Sequence, residues 1–277
     1  MPAHMRAFRE AVAVVTGGAS GIGQALCKEL GQRGATVVVA DRNGSGAAEV
    51  AAAIAAAGGQ AQAHAVDVTS WEAVEALVAG VVEQHGRLDY LFNNAGIGVL
   101  AEERDATLAD WHKVLAVNLW GVIHGVRAAY PRMLRQGFGH IINTASLAGL
   151  TPAPMEVSYT ASKHAVVGLS CALRVEAADL GVRVSVVCPG LIDTPILHTT
   201  EMRAVDGEGV RALIASGKPM APAACAGVIL RGVEKNKAII VVGPLGRFGW
   251  WLTRLSPGLA MWFWRTQFLR RLRALRH

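Results

Sequence analysis

Apolar residues along this chain come in two alternating forms. Short, nearly continuous runs rich in valine, isoleucine and alanine occupy 11–16, 36–40, 61–66, 88–92, 140–144, 182–187 and 238–242. Between them lie longer stretches with helical spacing, at 21–33, 47–57, 71–85, 108–134 and 157–180. Short continuous runs predict strands buried on both faces, and the 3.6-residue spacing predicts amphipathic helices. The punctuation agrees. Gly34, Gly58-Gly59, Gly86 and Gly181 stand where helices should stop, and Asp41-Arg42-Asn43-Gly44 stops the second strand. Strands separated by helices of this length predict parallel βαβ crossovers, and so an α/β fold with a doubly wound parallel sheet of about seven strands. No internal repeat or low-complexity linker divides the chain. Residues 1–243 therefore read as one domain and 244–277 as a C-terminal extension.

Composition sharpens this picture. Of 277 residues, 52% are hydrophobic and 17% charged, which excludes a disordered chain. The four cysteines, Cys27, Cys171, Cys188 and Cys225, have no C-x-x-C spacing and no partner histidine pattern. They read as reduced core thiols of a cytoplasmic protein, with no metal site expected. Residues 1–10 lack an apolar stretch of the length a cleaved signal peptide needs. The net charge of +6 is unevenly spread. All 21 acidic residues lie at or before Glu234, whereas 235–277 carry Lys235, Lys237 and seven arginines, leaving 18 basic side chains in the body. A mildly negative body gives no reason to expect a nucleic-acid partner.

The glycines after the first strand carry the first chemistry. Thr16-Gly17-Gly18-Ala19-Ser20-Gly21-Ile22-Gly23 joins that strand to the first helix, the context a dinucleotide site requires. Gly17, Ser20, Gly21, Ile22 and Gly23 would bring backbone N–H groups and a helix N-terminus to a pyrophosphate. Asp41 closes the second strand, where a carboxylate accepts from a ribose 2′-OH and repels a 2′-phosphate. No Lys or Arg precedes Gly21, so NAD is favoured over NADP, although Arg42 could pair with a 2′-phosphate. Asp67, with Val68 beside it, could meet the adenine amino group or cap the helix that starts near Ser70.

A second signal is Tyr159 and Lys163, four residues apart and so on one helix face. A phenol holds its proton to pH ~10, and a nearby ammonium favours the phenolate. The pair suits proton exchange with a carbonyl/alcohol couple. Taken alone, the spacing is common on solvated helices.

Further residues fall at successive strand ends: Asn93-Asn94-Ala95-Gly96, Asn118, Ser146 and Pro189-Gly190. With the glycine loop and Tyr159/Lys163, and in this order from about residue 12 to 243, they resemble the short-chain dehydrogenase/reductase family. The resemblance implies a Rossmann-like fold and an NAD(P)-dependent alcohol dehydrogenase or ketone reductase. It implies Tyr159 as general acid or base, Ser146 orienting the substrate oxygen, Lys163 on the nicotinamide ribose, and Asn118 holding a water through its helix backbone. It places Asn94, Ala95 and Gly96 along the adenosine ribose, Pro189, Gly190 and Ile192 near the nicotinamide, and Thr194 on the carboxamide. Assembly as a homodimer or homotetramer, through the helices near 108–134 and 157–180, is also implied. An NADPH-dependent carbonyl reductase and a non-catalytic nucleotide sensor are the alternatives.

The substrate side is less patterned. Leu150, Met155, Val157, Leu191, Ile196 and Leu197 form an apolar candidate lining, which favours a hydrophobic secondary alcohol or ketone. Glu156 could face solvent or a substrate hydroxyl. The glycine-bearing segment 198–218 reads as a mobile lid. In the tail, Trp250, Trp251, Trp262 and Trp264 lie among the arginines, and the apolar stretch is too short to span a bilayer. Two readings stay open: peripheral contact with an anionic membrane, or packing on a partner subunit or over the pocket.

Overall fold

The computed structural model describes residues 8–277. The strands in chain order are β1 (Val12–Thr16), β2 (Thr36–Asp41), β3 (Gln60–Ala65), β4 (Tyr90–Asn93), β5 (Val99–Leu100), β6 (Gly139–Thr144), β7 (Val182–Pro189), β8 (Glu201–Met202) and β9 (Ile239–Val242). The helices are α1 (Gly21–Gln32), α2 (Gly44–Ala56), α3 (Trp71–His85), α4 (Leu108–Leu115), α5 (Gly121–Gln136), α6 (Val157–Glu176), α7 (Ile196–Thr199), α8 (Gly207–Ser216), α9 (Pro222–Glu234), α10 (Pro244–Leu255), α11 (Pro257–Trp264) and α12 (Arg270–Arg273).

Seven strands form one parallel sheet in the order β3-β2-β1-β4-β6-β7-β9. This is the doubly wound, Rossmann-like architecture that the pattern of short apolar runs predicts. Side chains alternate across it. Val12 and Val14 join a core with residues of α3, α5 and α6, while Ala13 and Val15 join a core with α1, α2 and α9. The strand order reverses between β1 and β4, so the loops leaving their carboxyl ends diverge and open a crevice.

Several boundaries differ from the predicted ones, each for a local reason. The strand expected from Leu88 begins at Tyr90, because the Gln136 side chain takes both the N–H and the carbonyl of Leu88 (3.0 Å each). The helix expected over 47–57 starts at Gly44, where Asn43 accepts from the Gly46 N–H. The helix expected to reach residue 180 stops at Glu176. The stretch 108–134 is interrupted by a π-helical turn, Ala116–Trp120.

A smaller lobe covers the carboxyl ends of the strands. β5 and β8 pair in parallel, and Leu100, Met155, Val205, Val210 and Leu272 form its buried core. The segment 198–218, expected to act as a lid, is built into β8 and α8, and the Asp206 N–H donates to the Leu275 carbonyl at 2.7 Å. The tail thus folds back onto the lobe. Arg273 (2.5 Å) and Arg276 (2.7 Å) pair with Glu102, and Arg276 also reaches Asp105. Among the described residues no helix is long and apolar enough to cross a membrane. The reading of the first residues against a signal peptide falls largely on 1–7, outside the described residues.

Candidate active site

The glycine loop is fixed by close backbone contact. Gly17 has φ +66°, and a Cβ there would lie 2.8 Å from the Ala95 Cα. A Cβ on Gly23 would lie 2.0 Å from the Gly17 carbonyl oxygen. The Thr16 hydroxyl accepts from the N–H groups of Asn94 (3.0 Å) and Ala95 (3.2 Å), and the Asn94 amide donates to the Thr16 carbonyl (3.2 Å). One Asp41 oxygen accepts from the Ala19 N–H at 3.0 Å and the other from the Asn43 N–H at 2.9 Å. Thr16, Asn94 and Asp41 therefore tie the loop to the ends of β2 and β4.

Helix α1 opens at Gly21 with no cap from the Ser20 side chain and no acid in its first turn. Its N–H groups and positive dipole end are left for an anion. A shallow cradle that a Cβ would fill, an uncapped helix N-terminus and an acid ending β2 fit the pyrophosphate and ribose of a dinucleotide. Ile22, in the first turn of α1, is half-buried against the core that includes Leu26. Arg42 is exposed beside this rim. Asp67 turns onto Thr69, accepting from its N–H (2.9 Å) and hydroxyl (2.8 Å), and these bonds hold its carboxyl below the usual range. Ser70, the residue that caps α3, accepts from the Ala73 N–H. Val68 is buried against Gly121.

Across the crevice, three elements bring Asn118, Ser146, Tyr159 and Lys163 together. Asn118 is fully buried in the π-helical turn, a distortion that recurs at functional sites. Its Oδ1 accepts from the Ile97 N–H (2.9 Å), and its Nδ2 donates to the Ile97 carbonyl (3.0 Å) and the Ser162 hydroxyl (3.3 Å). Ser162 in turn donates to the Tyr159 carbonyl at 2.6 Å, locking the π turn to α6. The Lys163 Nζ donates to the Thr144 carbonyl at 3.0 Å and lies 5.4 Å from the centre of the Tyr159 ring. A Cβ on Gly96 would stand in van der Waals contact, 3.4 Å, with both Asn118 Oδ1 and Lys163 Nζ, so Gly96 lies beside both groups. Ser146, just past β6, caps a short 3₁₀ turn, Leu147–Gly149, by accepting from the Ala148 N–H at 3.2 Å, and lies near enough to the Tyr159 phenol to lower its pKa.

The electrostatics depart from the simple expectation of a lysine-activated phenol. Burial pushes the Tyr159 phenol up, Glu156 adds to the rise, and the Ser146 hydrogen bond opposes both. Burial also pulls Lys163 down to about 8, which leaves it mostly charged at neutral pH. Burial thus favours the neutral phenol.

Glu156, read in the sequence as facing solvent or a substrate hydroxyl, is half-buried, a placement that depends on tertiary structure. It precedes α6 by one residue and makes no cap bond, and burial pushes it up to about 7. Met155 before it has φ +66°, costly for a side chain of its size, and its carbonyl accepts from the Ala101 N–H at 2.8 Å. That kink sets where α6 starts.

At the end of β7, Pro189 is followed by Gly190, whose N–H donates to the Val242 carbonyl. Thr194 reaches the glycine loop, with its Cγ2 3.1 Å from a Cβ on Gly21. Ile192 is buried in the core on the α1 side. Of the apolar candidate lining, Leu150 and Met155 are buried in packed clusters, Ile196 and Leu197 are half-buried, and Val157 and Leu191 are exposed.

The profile of the short chain dehydrogenase family matches residues 11–204. The chain is 36% identical over 259 residues to the probable oxidoreductase EphD of Mycobacterium tuberculosis, covering 90% of this chain and 44% of that relative. It therefore spans under half that relative's length. It is 39% identical over 195 residues to a cyclohexanol dehydrogenase of an Acinetobacter species, covering 70% of this chain and 78% of the relative. A solved short chain dehydrogenase/reductase from Burkholderia phymatum, in complex with NAD, superposes with a TM-score of 0.85 at 30% identity, covering 92% of this chain and 96% of its own.

Proposed function

The chain belongs to the short-chain dehydrogenase family of oxidoreductases, and from that premise we propose that it interconverts a hydrophobic secondary alcohol and its ketone with NAD as cofactor. The observation that carries this reading is the convergence of Ser146, Tyr159 and Lys163 beside Gly96.

A bound nicotinamide dinucleotide supplies the hydride donor or acceptor, and Gly17, Ser20, Gly21, Asp41, Gly96 and Thr194 would hold it. The protein's own part is proton handling and orientation. In reduction, the Tyr159 phenol gives its proton to the substrate oxygen as negative charge builds there. An alkoxide is a far stronger base than a phenolate, so a phenol held protonated by burial still delivers. The Ser146 hydroxyl hydrogen-bonds the same oxygen and sets its direction. Lys163, anchored on the Thr144 carbonyl, directs its remaining N–H groups toward a ribose and the phenol. Oxidation runs the same steps in reverse: the Tyr159 phenol first gives its proton to solvent, against the burial that favours keeping it, and its phenolate then receives the alcohol proton as hydride leaves the carbon.

The test is turnover of a panel of cyclic and alkyl secondary alcohols with NAD, followed by NADH absorbance. Tyr159→Phe should lower kcat by about 10²–10⁴-fold with little change in stability; unchanged turnover would overturn the reading. Preference for NAD is supported by Asp41, whose charge repels a 2′-phosphate. Asp41→Ala should narrow the ratio of NAD to NADP affinity. A second reading, an NADPH-dependent carbonyl reductase, draws on the exposed Arg42 beside Asp41, and tighter binding of NADPH than of NADH would establish it. Assembly as a homodimer or homotetramer is supported by Trp120 and Val175, large apolar side chains left exposed near α5 and on α6.

A further inference from the structure

The C-terminal extension has two unlike faces. Its inner face is consumed by the fold. Ala260, Trp264 and Leu272 are buried, Trp250 packs against the main core, and Gly249 is close enough that a Cβ would touch Trp264 and Thr151 at 3.3 and 3.4 Å. The arginines that belong to this face, Arg273 and Arg276, find Glu102 and Asp105.

The outer face stays largely in solvent, with ring contacts of Phe248 to Phe263 and Trp251 to Trp250, and Arg254 over the Trp250 ring. Phe248, Trp251, Leu255, Leu259, Met261 and Trp262 are each 50–78% exposed. Phe248, Trp251 and Leu255 are spaced i, i+3, i+7, so they form one stripe along α10. Arg247 and Arg254 stand one turn either side of Trp251 on that stripe, and Arg265 follows Trp262 by three. Arg247, Arg254, Arg265, Arg270 and Arg271 are all exposed, and none is in an ion pair among the described residues. A contiguous patch of large apolar side chains with interleaved cations is not what the surface of a free-standing soluble protein shows.

The chemistry of the covering partner follows from charge. A second copy docking this face on itself would place arginine against arginine, because a two-fold contact joins like patches and 235–277 contains no acid. An anionic bilayer surface answers both demands. Phosphates take the guanidinium groups, and the headgroup boundary takes tryptophan, phenylalanine and leucine. Helices α10 and α11, with 12 and 8 residues, are too short to span and suited to lying flat. We propose that the outer face of α10 and α11 is a peripheral docking surface for anionic lipid bilayers. Docking there sets the neighbouring substrate loop at the bilayer, since the inner side of α10 rests near Leu147 and Thr151.

The test uses the full chain and no substrate. Vesicles of phosphatidylcholine alone, or with added phosphatidylglycerol, are sedimented with the protein at low and high salt. The protein should pellet with the anionic vesicles, less so at high salt, with a blue shift of tryptophan emission. Arg247→Gln/Arg254→Gln and Trp251→Ser/Trp262→Ser should each weaken partitioning by at least about tenfold, with unchanged melting temperature and NADH affinity. Failure of the wild-type chain to pellet with anionic vesicles at low salt, or equal pelleting of the variants, would overturn the proposal. So would a dimer, seen by light scattering, that Trp251→Ser/Trp262→Ser converts to monomer: the face would then belong to a second copy. Because vesicle binding is read without turnover, its failure is separate from any failure of the assigned reaction.

Discussion

The glycine loop and the lobe of 97–106, α8 and the tail face each other across the site, yet different forces hold them. The loop is set by contact at atomic distance, Gly17 on Ala95 and Gly23 on the Gly17 carbonyl, and by hydrogen bonds between Asn94 and Thr16 and from the Ala19 N–H to Asp41. Beneath it lies the full thickness of the sheet core. The lobe has only a small apolar cluster and is latched by ion pairs: Arg203 on Asp110, Lys113 on Glu201, and Arg273 and Arg276 on Glu102. Steric fit is indifferent to salt, whereas ion pairs whose basic side chains reach solvent are screened in part, even with the Asp110 and Glu102 carboxylates buried. The nucleotide half is therefore rigid by packing, and the substrate half is the part free to open locally.

The sharpest way to break this contrast is Gly23→Ala. The new Cβ meets backbone 2.0 Å away, so the loop must shift. The expected result is a stability loss of about 1–3 kcal/mol and NADH binding weakened by more than about tenfold, read by thermal melting and fluorescence titration, with exchange protection of the tail unchanged. Glu102→Gln should do the reverse. It leaves Arg273 and Arg276 without their shared carboxylate, costs about 1–2 kcal/mol locally because the arginines are partly exposed, and speeds amide exchange over 257–276 while NADH affinity stays within about twofold. Half-molar salt should mimic Glu102→Gln in the wild-type protein and leave the glycine loop untouched. If salt weakened nucleotide binding and spared the tail, the division of forces drawn here would be wrong.

The smallest effect lies at the seam. Burial raises Glu156 from 4.5 to about 7. Between those values the unfolded chain loses this proton while the folded protein keeps it. Its contribution to stability is complete below pH 4.5 and falls as pH rises through about 7. Wild type and Glu156→Gln should melt together near pH 4, with the variant ahead at pH 8. Parallel melting curves at all pH values would count against a raised Glu156 carboxyl.

What the sequence revealed follows the same division. Tyr159 and Lys163 are legible because helical spacing alone puts them on one face, and the glycines because backbone approach demands them at a strand-to-helix turn. The seven-strand sheet is legible from apolar runs. The carboxylates that latch the lobe are not. Asp110 meets Arg203 across 93 residues and Glu102 meets Arg273 across 171, and no local pattern marks either pair. Thr16 as the acceptor joining β1 to β4 was equally hidden, as was the chain Asn93–Asn143–Ser170 between β4, β6 and α6. His140, fully buried on Ser185 and pushed down to about 3, looks in the sequence like any scattered histidine. In each case the environment is made by distant segments, and periodicity reports only near neighbours.

The 171-residue span between Glu102 and Arg273 also sets an order of events during synthesis. β1 to β4 and their helices have sequence-local crossovers and can pair while the chain is still growing. Glu102 emerges soon after them, with only Arg104 nearby to answer its charge. Its guanidinium partners arrive after β6, β7 and β9 have been made. A long loop must then close before that contact stabilises anything, which makes it a late and slow step. The glycine loop and the ends of β2 and β4 that hold it can accordingly form before the lobe that covers them.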